Sequence, residues 1–214
     1  STLPNPKAPS FSLGAIDAGS HARALDCLTA AIYYEAANES DAGQAAVAQV
    51  VLNRVRDPAY PKSVCAVVFD GATGQVGGGC QFTFACDGAL ARAPSPAGWR
   101  RARRAAAAAL GGAIAPAVGW ATHYHTQWVA PAWAPTLLKT AVIGAHIFYR
   151  PPSRWNLVAP TSRYAGIEPE IALMAPLSSV PMAALPADVA VAVAPEAASP
   201  PTKPNLLALD LPGV

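Results

Sequence analysis

Residues 25–55 read LDCLTAAIYYEAANESDAGQAAVAQVVLNRV, a pattern of two helices joined by a polar turn. Leu25, Leu28 and Ile32 form an apolar stripe at helical spacing. Glu35 occupies the next step of that stripe, where a core residue is expected. Ser40 fits an N-cap, and Ala46, Val47, Val50, Val51 and Val55 give the following helix a core face. The pattern therefore places one carboxyl group at the junction of two packed helices. Read from pattern alone, Glu35 is either an exposed helix-end residue or an acid held in a cleft.

The string Tyr34-Glu35-Ala36, a turn containing Glu39, then Gly43-Gln44, Ala46-Val47-Ala48 and Val51-Leu52-Asn53-Arg54-Val55 resembles cell wall hydrolases of the SleB/CwlJ type. The likeness continues through Pro58, Tyr60-Pro61, Ser63-Val64 and Val67-Val68-Phe69 and resumes at Gln81-Phe82-Thr83-Phe84. It covers roughly residues 25–150 and is more specific than a lone short motif. Where the family pattern reads Glu-Ala-Arg-Gly-Glu, this chain has Glu35-Ala36-Ala37-Asn38-Glu39. The resemblance implies an α+β, helix-dominated, lysozyme-like domain with a small antiparallel sheet, a peptidoglycan substrate, and Glu35 as the catalytic acid.

Cleaving a glycosidic bond requires an acid that stays protonated near neutral pH, and burial beside aromatics raises a carboxyl pKa by disfavouring the anion. Glu35, next to Tyr33 and Tyr34, has such neighbours. A hydrolase of the retaining or inverting type needs a second carboxyl group, for which Glu39, one turn on, is the candidate, with Asp41 nearby and Asp87 after the Gln81–Phe84 segment; otherwise Glu39 caps or orients the turn. A lytic transglycosylase needs none, because the same Glu then takes the proton of the muramic 6-hydroxyl. The resemblance favours this single-acid route, with the muramidase as its neighbour. Tyr34, Gln81 and Thr83 are candidate sugar contacts. His123 and His125, two apart in a strand, are candidate cleft residues. With His146 or an acid they also suggest a rival, a zinc-dependent N-acetylmuramoyl-L-alanine amidase, although no HExxH frame is present and no metal or other cofactor is expected. A third reading is a non-catalytic module that binds wall or belongs to a phage-like particle.

Around this centre, residues 1–20 read as a flexible leader, residues 21–150 as the catalytic domain and residues 151–214 as an extended tail. Twelve of the 22 prolines fall in that last segment, which suits docking on a larger assembly. Ser63 caps a short helix; Ser95, Pro96 and Gly111 punctuate a long one. Its arginines at 100, 101, 103 and 104 read as a solvated basic face or a contact with anionic wall polymer. Gln81–Phe84 reads as a strand, Val118–Trp133 as a strand or hairpin, and Leu137–Tyr149 as a further strand returning against it. Trp120, Trp128 and Trp133 are aromatics that could stack on sugar rings.

Composition excludes some classes. The net charge of +2 is too small to argue for nucleic acid. Residues 21–150 carry eleven Lys/Arg against seven Asp/Glu, and residues 151–214 three against five, so the basic character belongs to the domain. The longest apolar run, Ala105–Val118, is broken by Gly111, Gly112 and Pro116 and is shorter than the roughly 20 residues a membrane span needs. The polar, Pro-rich start suits a mature chain whose export signal has been removed. Cys27, Cys65, Cys80 and Cys86 match no zinc-ribbon spacing. Given the wall-directed resemblance they read as two disulfides in a periplasmic or extracellular protein, with buried free thiols as the alternative. The expected pairing is Cys65–Cys80, closing the Gly-rich loop at residues 71–79, and Cys27–Cys86.

Overall fold

The computed structural model describes residues 5–72, 79–152, 164–172 and 174. The chain divides into a compact unit, Ser1–Met182, and a second stretch, Ala183–Val214, that lies outside the described residues. Helix α1 (Ala18–Ala36) starts at Asp17, whose side chain accepts from the Ser20 N–H at 2.8 Å. Helix α2 (Asp41–Arg56) starts at Ser40, as its sequence predicts, and the short α3 (Val64–Val68) at Ser63. Helix α4 (Pro96–Leu110) has Ser95 as its cap, Pro96 in its first turn and Gly111 at its end.

The apolar stripes of these helices meet in one core. Leu28 and Ile32 of α1, Val47 and Val51 of α2, and Val64, Val67 and Val68 of α3 are fully buried. Helix α4 contributes Trp99, Ala102, Ala106 and Ala109, and the alanines allow close approach. Gly98 is required there: a Cβ would stand 2.9 Å from Cε2 of Tyr33. The basic face of α4 is in part consumed by the fold. Arg103 pairs with Asp26. Arg101 donates from Nε to Asp41 at 2.8 Å and from Nη2 to the Glu39 carbonyl at 2.6 Å, pinning the α1–α2 turn.

The sheet has three antiparallel strands, β1 (His123–Thr126), β2 (Leu138–Ile143) and β3 (His146–Arg150), with β3 in the centre. Its register sets His123 opposite Tyr149, Tyr124 opposite Phe148 and Thr126 opposite His146. Phe148 enters a second core with Ala46 and Val50 of α2, Val118 and Ala121. Buried polar groups of α2 hold the entry to this sheet. Asn53 Nδ2 donates to the carbonyls of Gly119 and Ala121, both at 2.8 Å, and Arg54 Nε to that of Thr122 at 2.7 Å. Gln49 accepts from the Ala115 N–H at 3.0 Å and donates to Asn53. The Gln49 and Asn53 amide nitrogens and Arg54 Nε are thus buried and partnered.

Several expectations are corrected. Gln81–Phe84 is not a strand but a bend leading into a 3-10 turn, Thr83–Ala85. The alternation survives, with Phe82 and Phe84 buried and Gln81 and Thr83 exposed, yet no strand pairs with it. Val118–Trp133 yields only the four residues of β1. Leu137–Tyr149 is the β2–β3 hairpin, turning at Gly144 with φ +56°. The disulfides are Cys27–Cys65 and Cys80–Cys86, not Cys65–Cys80 and Cys27–Cys86. Cys27 and Cys65 face each other where α1 packs on α3, with Cα atoms 5.2 Å apart. The Gly-rich loop needs no disulfide at its neck, because the Gln81 N–H donates to the Asp70 carbonyl at 2.9 Å.

The outer boundaries also shift. Within the expected leader, Phe11 and Leu13 are core residues, and Arg56 Nη1 donates to the Pro9 carbonyl at 2.8 Å. Beyond residue 150, Glu168 is buried. Its two carboxylate oxygens accept from the N–H groups of Val64 and Cys65 at 2.8 and 2.7 Å, and the Tyr164 hydroxyl donates to it at 2.8 Å. Met174 joins the main core. Residues of the 164–172 stretch and Met174 therefore contribute to the domain, and apart from residues 151–152 the rest of the expected tail lies outside the described residues.

Candidate active site

Glu35 lies in the last turn of α1, partly buried, with its carboxyl group turned towards the sheet. The Tyr124 hydroxyl donates to Glu35 Oε2 at 2.9 Å. Burial raises the Glu35 pKa, and the Asp87 carboxylate adds to the rise; Tyr124 and the Arg54 guanidinium oppose it. The balance is a carboxyl group that holds its proton above the usual Glu range.

Arg54 approaches this carboxyl group from α2. Its guanidinium lies over the Tyr60 ring at 5.4 Å and the Phe82 ring at 5.2 Å, which give a buried cation apolar and π contact. Burial pulls its pKa down, while Tyr60, Tyr124 and Glu35 pull it back up. The Tyr124 hydroxyl is raised well above its usual value by burial and by Glu35, so it stays a donor.

Tyr34 stacks on Phe84, with centroids 5.0 Å apart and 18° between the planes. That stack joins α1 to the turn whose exposed side chains are Gln81 and Thr83. The Asp87 side chain accepts from the Ala89 N–H at 2.8 Å.

His123 and His125 project from the same face of β1. The Trp133 ring lies 5.2 Å from that of His123 and 5.6 Å from that of His125. The pKa of His123 is lowered from 6.5 to about 4, first by burial and then by Arg54, so its ring is neutral at neutral pH. The two nitrogens of His125 lie 2.8 Å from the Thr126 carbonyl and 2.9 Å from the Tyr149 hydroxyl. The register places His146 beside Tyr124 and Phe148, on the sheet face opposite His123 and His125, so it does not converge with them. Among the described residues no three His, Cys, Asp or Glu side chains are grouped to hold a metal ion, and no helix is long and apolar enough to cross a membrane.

Glu39 does not share the cleft position expected of a second acid. Its Oε1 accepts from the Ala145 N–H at 2.9 Å and lies 3.2 Å from His146 Nδ1. Sequence reasoning did not single out Tyr124 or Arg54. Their signals were present: Tyr124 sits out of phase with His123 and His125, so it must face the helices, and Arg54 is a cation amid the buried run Val50–Val55.

A helix-dominated α+β domain with a small antiparallel sheet is the architecture this chain shares with solved structures it is similar to. They include the catalytic domain of Bacillus cereus SleB, at 29% identity and a TM-score of 0.50, covering 63% of this chain and 95% of that domain. The catalytic domain of a germination-specific lytic transglycosylase, SleB from Bacillus anthracis, has the same identity and TM-score and is covered in full. The cell wall hydrolase family matches residues 38–149, and the chain belongs to that family. The spore cortex-lytic enzyme of Halalkalibacterium halodurans is 31% identical over 133 residues, 62% of this chain and 36% of that enzyme. The spore cortex-lytic enzyme of Bacillus subtilis is 31% identical over 121 residues, 56% of this chain and 35% of that enzyme. The match thus spans about a third of the length of these curated relatives.

Proposed function

We propose that this protein cleaves the glycan strands of peptidoglycan, with Glu35 as general acid and then general base. The observation that carries the reading is a partly buried carboxyl group, raised in pKa by desolvation and fixed by one hydrogen bond from Tyr124. Tyr124 occupies Oε2, so Oε1 is the oxygen left to carry the proton. In the first step Glu35 gives that proton to the glycosidic oxygen. The C1–O bond breaks, and its electron pair leaves with the oxygen. In the second step the Glu35 carboxylate takes the proton of the 6-hydroxyl on the same sugar, whose oxygen bonds to C1 and closes a 1,6-anhydro ring. Membership of the cell wall hydrolase family supports the substrate, and the similarity to a lytic transglycosylase supports this acceptor.

Tyr34 of α1 with Gln81 and Thr83 of the turn stacked against it, and His123 and His125 of β1 with Trp133, are proposed to hold the sugars. His123 enters as a neutral imidazole. The two disulfides suit an oxidising compartment, so the site of action is proposed to be periplasmic or extracellular. Zinc-dependent amide cleavage is not favoured, because His146 points away and both nitrogens of His125 face protein oxygens.

The second reading has water as the acceptor, with Asp87, which adds to the rise of the Glu35 pKa, as the second acid. Mass spectrometry of purified peptidoglycan after digestion separates the routes. Anhydro-muramyl products support the single-acid reading, reducing ends of unmodified mass bring Asp87 forward, and free stem peptides overturn glycan cleavage. Binding to wall without any product supports the non-catalytic module.

A further inference from the structure

Two carboxyl groups four residues apart end on the two sides of one aromatic pair. Tyr124 and His146 are diagonal neighbours on the same face of the β1–β3 pair. Their rings meet edge to face, with centroids 5.2 Å apart at 86°. The hydroxyl at the outer end of Tyr124 donates to Glu35. Behind His146 stands Glu39, with Oε1 3.2 Å from Nδ1 and side chains only 6% and 12% exposed. Glu39 is held as firmly as a core group. Its carboxylate accepts the Ala145 N–H, and its own carbonyl accepts from Arg101. Gly144 leaves it room: a Cβ there would stand 1.7 Å from Glu39 Oε2. Gly43 does the same from α2, where a Cβ would stand 2.7 Å from the Glu39 Cβ.

From this arrangement, which rests on Glu35 being the acid, we infer that Glu39 is a positioning residue that acts through His146 and Tyr124 to fix the reactive carboxyl group. Glu39 locks the β2–β3 turn and backs the His146 ring, its Oε1 3.2 Å from Nδ1. Burial outweighs Glu39 and keeps that ring neutral. A ring so held limits the tilt of Tyr124, and Tyr124 sets where Glu35 Oε2 sits. Misplacing a reacting group by about 1 Å costs on the order of a hundredfold in rate, so the coupling is measurable. The role differs from that of a second acid, which would touch the substrate itself.

The test is a double-mutant cycle of Glu39→Gln and Tyr124→Phe, with kcat and apparent KM measured on purified peptidoglycan and melting curves recorded for each variant. Glu39→Gln keeps an oxygen for the Ala145 N–H and is chosen to preserve the turn; Glu39→Asp, which keeps the charge and shortens the reach, is the second variant. The expected result is a loss of kcat of about tenfold or more in Glu39→Gln at nearly unchanged KM. In the Tyr124→Phe background the same change costs little further. Equal losses in both backgrounds, or losses that only follow the folded fraction, overturn the inference. Abolished turnover by Glu39→Gln whatever residue 124 is also overturns it, in favour of a direct acid. Glu35→Gln is run alongside: if it stays active, the reading of Glu35 fails, whereas an inactive Glu35→Gln with additive Glu39 effects fails the positioning role alone.

Discussion

Moving a carboxyl group out of water disfavours its anion far more than its acid, and Glu35 sits where a leucine would complete the α1 stripe. The sign of the consequence follows. With its pKa raised in the folded protein, Glu35 binds its proton more tightly there than in the unfolded chain. Folding stability from this group is present below the ordinary Glu pKa and is lost as pH rises through the raised one. Glu35→Gln has no such loss. Its melting temperature is expected to exceed that of the wild type at neutral pH, with the gap closing towards pH 4, as scanning calorimetry over that range would show. Equal melting temperatures at pH 7 would mean that Glu35 bears no burial penalty. At this scale the odd carboxyl group was legible, because a charge interrupting an apolar stripe is conspicuous. Its partner Tyr124 was hidden, because eighty-nine positions separate the two and only the sheet register joins them.

Among the elements, capping chemistry read true. Ser40, Ser63 and Ser95 start their helices because a hydroxyl accepts a free N–H at each. The strands read less well. Gln81–Phe84 alternates as a strand does, but the cysteines that close it into a turn stand only six positions apart. That closure holds Phe82 under Arg54 and Phe84 against Tyr34. Replacing Cys80 and Cys86 together by Ser is expected to cost roughly 2 kcal/mol from the short loop they close. It should lower activity more than stability, as wall-digestion rates and denaturant melts would show. Unchanged rates would separate this segment from the site. Losing Cys27–Cys65, with a separation of 38 residues, should cost about 4 kcal/mol and affect folding first.

For the molecule as a whole, sequence reasoning drew the domain too small at both ends. The proline content beyond Arg150 carried no signal for Glu168. A single buried carboxylate there satisfies the first N–H groups of α3 from more than a hundred positions away. A chain ending at Arg150 leaves those donors buried without a partner, and each costs about 1–3 kcal/mol. Such a truncation should therefore melt well below the full chain. Glu168→Ala should show much of the same loss, and equal melting temperatures would contradict the extended boundary.

The central claim is that one carboxyl group does the chemistry. Its most direct measurement is the initial rate of muropeptide release from purified peptidoglycan by Glu35→Gln, beside the wild type and with both proteins shown folded. The account predicts release reduced by three orders of magnitude or more, since removing the group that moves the proton leaves only binding and orientation. Release within tenfold of the wild type would contradict it.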